Sequence, residues 1–202
     1  MSRRAWIWIV VAWSTASSCA EAGVVRGTLR LPQGHLVEQA RPEDAVIYVE
    51  AVPERLRHHF SRVPREPRLV QERSRYVPRV LPVVVGTTVR LQNHDRIYHR
   101  AFSVSPAKRF ELDTYAPGES RLVTFDRVGV VRLYCEIDRN MSGYVVVLPH
   151  RAFTQPDSTG AFILPKLPAG SYTLRMWHPA LRARSRKIEI PGRGDLTLDW
   201  KL

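Results

Sequence analysis

Residues 134–147, YCEIDRNMSGYVVV, place a thiol (Cys135), a carboxylate (Asp138) and a thioether (Met141) on one short loop ahead of an apolar strand. Side chains at three-residue intervals on a tight loop can converge on one point, and thiolate and thioether sulfur are the donors that soft metal ions prefer. The carboxylate is the odd member, a harder and anionic donor among sulfurs. An imidazole is available upstream, where His99 lies near the end of the stretch QNHDRIYHRAF. Each of these groups has to be carried to a common point by distant segments, so the compartment and the strand pattern decide how they are read.

The chain opens with Arg3 and Arg4, the apolar run AWIWIVVAW and a stretch of small residues, with cleavage expected after Ala20 or Ala22. That order marks residues 1–20 as a signal peptide. The apolar run is too short to span a bilayer comfortably and no later segment is longer, so the mature chain is expected in the periplasm or secreted, without a transmembrane segment. Cys19 sits in ASSC, a poor lipid-attachment box because the Leu-like residue three positions before it is missing. Loss of the leader removes Cys19 and leaves Cys135 as a lone thiol, with no internal disulfide open to it. A free thiol in an oxidising compartment needs burial or a ligand to protect it. The formal net charge is +12, or +10 once Arg3 and Arg4 leave with the leader. Such a surface favours acidic partners. The basic residues are scattered and not interleaved with stacking aromatics, which together with export argues against nucleic acid.

Period-two and β-branched runs dominate the rest: residues 44–52, 81–93, 120–126, 129–135, 143–149, 169–177, 186–191 and 196–202 read as strands. Gly86, Gly118, Gly129, Gly160 and Gly170 punctuate them, and 15 prolines discourage long helices. The fold class is all-β, built of antiparallel sandwiches. Residues 54–67, ERLRHHFSRVPREP, interrupt the pattern as a basic linker or exposed excursion. Within them His58 and His59 are adjacent and point different ways, as solvated histidines do.

From about Val70 to Pro149 the chain resembles the cupredoxins, small exported blue-copper sandwiches. The resemblance rests on RYVPRVLPVVVGTTVRLQN, then Asn93, Asp95 and His99 in an N-x-D-x-x-x-H pattern, then VTFDRVGVVRLYC and the loop closing on MSGYVVV. SPAKRFEL, YAPGES and YVVVLP narrow it to the cupredoxin-containing proteins often labelled methylamine utilization proteins. The resemblance implies a Greek-key sandwich over residues 68–150 and a copper site with His99 as first imidazole, Cys135 as thiolate and Met141 as axial thioether. Imidazole with soft sulfur donors suits copper and one-electron transfer. The family pattern also demands a second imidazole three residues after the cysteine, and here that residue is Asp138. As a fourth ligand Asp138 would favour the oxidised metal and lower the potential. Alternatively Arg139 pairs with it, the site is incomplete, and the sandwich is a metal-free structural or protein-binding module of the cell envelope.

Residues 152–202 write two hairpin strands around a D-x-x-G turn and LPAG, and resemble the second half of a carboxypeptidase regulatory-like, transthyretin-type sandwich. GVVRGTLRLPQG and DAVIYVEAV, within residues 23–53, resemble its first half. Neither piece alone has strands enough for a two-sheet core, so either they pack together with the cupredoxin inserted between them, or the N-terminal strands belong to the cupredoxin. Other candidates are weaker. His35 and Glu38 mimic an H-x-x-E zinc pair with no third ligand; His94 falls outside the matched spacing; His150 is carried away from the loop by a strand; and His178 caps a strand. No phosphate loop, nucleophile elbow or paired-carboxylate arrangement is present, so no enzyme is expected. The expected function is copper holding or single-electron transfer with an acidic redox partner.

Overall fold

A computed structural model describes residues 22–32, 40–57 and 66–201. Residues 1–20, read above as a signal peptide, with Cys19, the His35/Glu38 pair and His58/His59 lie outside the described residues. Among those described, no helix is long and apolar enough to cross a membrane.

The N-terminal segment forms β1 Ala22–Gly23, β2 Val25–Arg30 and, after a 3-10 turn at Pro42–Asp44, β3 Val46–Val49. One turn of helix, α1 Glu54–Arg57, follows where the sequence suggests only a linker. The central segment runs through β4 Arg68–Glu72, β5 Arg75–Val77, β6 Val80–Val84, β7 Thr87–Asn93, β8 Ala101–Ser105, β9 Lys108–Glu111, β10 Ser120–Phe125, β11 Gly129–Cys135 and β12 Ser142–Leu148. The C-terminal segment adds β13 Phe153–Thr154, β14 Ala161–Ile163, β15 Leu167–Pro168, β16 Gly170–His178, β17 Leu181–Ile190 and β18 Leu196–Lys201. The chain is all-β, as the period-two pattern implies. The single run read over residues 81–93 is cut at Gly86, whose φ of 86° turns β6 into β7. Four strands carry little sequence signal. β4, β5, β8 and β9 are three to five residues long and β9 buries none of its side chains fully; β5 and β9 pair with the adjacent β4 and β8, which join the sheets through the distant β7 and β11.

The central strands form two sheets, ordered β10-β7-β4-β5 and β6-β12-β11-β8-β9. Two pairings are parallel, β4 with β7 and β6 with β12, and the rest are antiparallel. Strands joined out of sequence order in this way make a Greek-key sandwich. Alternation fills its core: Val89 and Leu91 of β7, Val131 and Leu133 of β11, Val145 and Val147 of β12 all point inward. Cys135 is the next inward position of β11 after Leu133, so the strand period itself delivers the thiol into the end of the core.

The two terminal segments share sheets. β2 lies between β14 and β18, parallel to β18, and β3 lies between β13 and β16 in the sheet that β17 closes. Val25, Leu29, Ile47, Val49, Phe162, Leu174, Met176 and Trp200 belong to their common core. Gly27 is required there, since a Cβ would stand 2.2 Å from the carbonyl oxygen of Leu198 and 2.5 Å from the Phe162 ring. The two sandwiches meet along β12, whose Val146 and Leu148 face outward onto Val46 and Val80 with Tyr48, Phe153 and Trp177 around them. Burial of both faces explains why β12 reads as an uninterrupted apolar run and not as an alternation. Arg79 bonds Asp44 across the seam at 3.0 Å, and Gln155 Nε2 donates to the carbonyls of Glu43 and Val80.

Candidate metal centre

The centre sits at one end of the central sandwich, between the β7–β8 and β11–β12 connections. His99 is held by a two-way backbone bridge with Tyr115, its N–H to the Tyr115 carbonyl at 3.1 Å and its carbonyl from the Tyr115 N–H at 2.9 Å. Asn93, wholly buried, pins the loop that leads to it: Nδ2 donates to the carbonyls of Ile97 and Tyr115, and Oδ1 accepts the Asp95 N–H. On the other side the Cys135 N–H reaches the Met141 carbonyl at 3.3 Å and closes the loop at its base.

These restraints bring His99 Nδ1 to 3.3 Å from Cys135 Sγ. His99, Met141 and Cys135 expose 0%, 1% and 2% of their surface, and Met141 and Cys135 belong to one buried cluster. A nitrogen and a sulfur bound tetrahedrally to one ion at roughly 2.0 and 2.3 Å stand about 3.5 Å apart. The two donors therefore fit a metal ion after opening by a few tenths of an ångström. The polar wall beside them is satisfied internally. Tyr76 donates its hydroxyl to the Tyr134 carbonyl at 3.1 Å, Gln71 Nε2 donates to the Tyr76 oxygen, and the Tyr115 hydroxyl donates to Gln71 Oε1. Burial pushes both phenols well above their ordinary range, and the negative charge available to Cys135 pushes the same way, so both remain neutral. Gly143 makes room for Tyr76, because a Cβ there would lie 2.8 Å from the Tyr76 Cβ.

Asp138 is placed differently. It is partly exposed, its Oδ1 accepts the Asn140 N–H at 3.0 Å in an Asx turn, and its carbonyl accepts the Met141 N–H at 3.0 Å. Its Oδ2 makes no hydrogen bond or ion pair among the described residues, and none joins it to Arg139. No group of three or more His, Cys, Asp or Glu side chains among the described residues could hold a metal ion, so the thioether has to be counted for a three-donor set. His94 is exposed, His150 is buried at the far end of β12, and His178 donates Nε2 to the Arg41 carbonyl while its Nδ1 accepts the Ala180 N–H.

Asp95 is the residue to which the sequence pattern gave a place but no role. Its Oδ2 lies 2.9 Å from His99 Nε2, on the far side of the ring from Cys135. The i,i+4 spacing with His99 was the available signal, but such a spacing places no contact in a loop until the loop's shape is known. Thiol, imidazole and carboxylate thus stand in a row. That order is the one that activates nucleophilic cysteines, and here the Cys135 residue is 2% exposed, beneath its own loop.

No family model matches the chain, and no curated protein matches it significantly. Among solved structures it is similar to a purple cupredoxin from Nitrosopumilus maritimus, at 24% identity, covering 41% of this chain and 100% of that one with a TM-score of 0.38. A Cu(I) form of an amicyanin variant is 21% identical over 44% of this chain and 87% of its own, with a TM-score of 0.40. A second amicyanin variant, also with Cu(I), is 19% identical over 52% and 99%, with a TM-score of 0.40. The fold of the central sandwich stands on its own strand order and registers: the chain is all-β, and residues 68–148 of it form a two-sheet Greek-key sandwich.

Proposed function

We propose that this chain is an exported cupredoxin-like protein that holds one copper ion at His99, Cys135 and Met141 for electron transfer or storage. One observation carries the reading: an imidazole nitrogen and a thiol sulfur, both buried and from segments 36 residues apart, face each other at 3.3 Å. Two soft sulfurs and an imidazole are a donor set suited to copper, which when bound supplies one-electron chemistry. The chain's own part is to fix the donors on a rigid sandwich, exclude water from the sulfur, and keep the neighbouring phenols neutral. Asp138 Oδ2 is the available fourth donor at the loop rim, anionic where the cupredoxin pattern has an imidazole.

Ile97, Tyr98 and Ile137 are large exposed apolar residues on the two loops that carry the donors, with Arg96 and Arg139 beside them in sequence. That apolar, basic-rimmed end suits an acidic redox partner. The terminal sandwich reads as the carboxypeptidase regulatory-like, transthyretin-type module, and the leader-like N-terminal pattern supports a location in the periplasm or outside the cell. A second reading is favoured by the Asx turn, which already occupies one Asp138 oxygen: a metal-free sandwich serving as a structural or protein-binding module.

The two readings separate on titration of the purified protein with Cu(I) and Cu(II), followed by visible and EPR spectra. The copper reading expects one equivalent bound, weakened at least about 100-fold by His99→Ala. Binding that appears only once Asp138→His restores an imidazole supports the metal-free reading.

A further inference from the structure

The His99 ring has no exposed surface, and each of its nitrogens has a single partner: Nδ1 faces Cys135 Sγ at 3.3 Å and Nε2 faces Asp95 Oδ2 at 2.9 Å. A carboxylate only accepts, so the bond to Asp95 requires the proton on Nε2, and in the neutral ring the Nδ1 lone pair is then the group that faces the sulfur. Asp95 is itself fixed from two further directions. Its Oδ1 accepts the Arg73 N–H at 2.5 Å, and its Oδ2 accepts the Ser74 N–H at 3.0 Å as well as the histidine. Arg73 and Ser74 form the two-residue turn between β4 and β5, with φ of 53° and 57°. Such left-handed angles at successive non-glycine residues are uncommon, and they turn both N–H groups toward one acceptor. The Asp95 backbone N–H is held in turn by the buried Asn93 Oδ1. The carboxylate thus has three donors on two oxygens and a tethered backbone, and it lies at the only face of the ring not turned to the sulfur.

We propose that Asp95 is the positioning residue of this centre: clamped by the Arg73–Ser74 turn, its carboxylate fixes the Nε2–H tautomer of His99 and thereby keeps Nδ1 directed at Cys135. This inference rests on the copper reading only for its metal consequences. A fixed negative charge behind the imidazole strengthens Nδ1 as a donor and favours the more highly charged state of any metal held there. It also supplies an electrostatic anchor in a donor set that lacks the second imidazole of the cupredoxin pattern.

The test compares wild type, Asp95→Asn and Asp95→Glu as metal-free, nitrogen-15-labelled protein, reading the His99 ring nitrogens by long-range proton–nitrogen correlation. Wild type is expected to show Nε2 protonated and Nδ1 bare. Asparagine has the shape of aspartate but one oxygen, and the turn's N–H groups compete for it. Its NH₂ group then meets Nε2, and the ring is expected to shift toward the Nδ1–H form. Glutamate keeps the charge, displaces it by a methylene, and is expected to weaken the preference without reversing it. Copper binding is the second readout: Asp95→Asn is expected to lose roughly 10- to 100-fold in Cu(II) affinity, and less for Cu(I). An unchanged ring-nitrogen pattern in both folded variants overturns the positioning role, whatever copper does. A shifted pattern in proteins that bind no copper upholds the positioning role while the copper reading fails.

Discussion

The two sandwiches share a fold class and differ in what they bury. The terminal sandwich has an apolar core in which Leu174, Met176, Phe162 and Trp200 meet without a buried polar partner among them. The central sandwich is apolar through most of its depth and then, at one end, closes over Gln71, Asn93 and His99 with the hydroxyls of Tyr76 and Tyr115. Polar groups taken out of water cost about 1–3 kcal/mol each when left unpaired. These groups are hydrogen-bonded, and their concentration around one thiol sets this end of the central sandwich apart from the apolar core of the terminal one. At the seam buried Asp44 joins the two units through Arg79, while buried His178 bonds the Arg41 carbonyl within the terminal unit.

The sharpest way to break this contrast is to damage each core separately. Leu174→Ala empties space at the centre of the terminal sandwich and is expected to cost about 2–5 kcal/mol in urea unfolding. Below its lowered melting temperature it should leave copper stoichiometry and the His99 ring-nitrogen pattern untouched; loss of either would show that the two units work as one. The Tyr network makes the central sandwich sensitive to alkali. Both phenols are raised in the folded state, so their contribution is complete below the unfolded value near pH 10 and is lost as pH rises beyond it. Thermal melts should fall more steeply above about pH 10 in wild type than in Tyr76→Phe.

A smaller effect is expected at the seam. Arg79→Ala leaves the buried Asp44 carboxylate without its cation. Because the guanidinium is itself nearly half exposed, a loss of about 1 kcal/mol is expected. The informative result is whether near-ultraviolet and far-ultraviolet unfolding transitions then separate. Smallest of all is the Arg90–Glu66 pair on the outside of the central sandwich at 2.8 Å. Glu66→Gln should change stability by less than about 1 kcal/mol, an effect erased by salt. A larger effect would mean that outer charges, and not the inner network, hold this unit.

Much of the architecture was legible because period two is a local property. Runs such as GVVRLYC and GSYTLRMW announce strands and inward faces, and the same alternation that makes Val131 and Leu133 core makes Cys135 core. Strands β4, β5, β8 and β9 were not legible, since hairpins of three- to five-residue strands with mixed polarity are held in their sheets only through β4 on β7 and β8 on β11, tens of residues away. The β4–β5 turn was silent for a related reason. Arg73 and Ser74 carry no glycine or asparagine signal for positive φ, and their conformation is held by a carboxylate from another connection.

The candidate donors, Cys135, Met141 and His99, could be named from the sequence, because residue type and loop spacing fix which chemistry is available. So was the anomaly at Asp138. Which of these groups meet was decided by tertiary structure alone. The Asx turn that engages Asp138 is local to its loop, whereas the 3.3 Å approach of His99 to Cys135 and the carboxylate of Asp95 behind the imidazole depend on connections from different strands closing over one end of a sandwich. Contacts of that kind are set by the packing of the strands beneath them, which no spacing along the chain encodes.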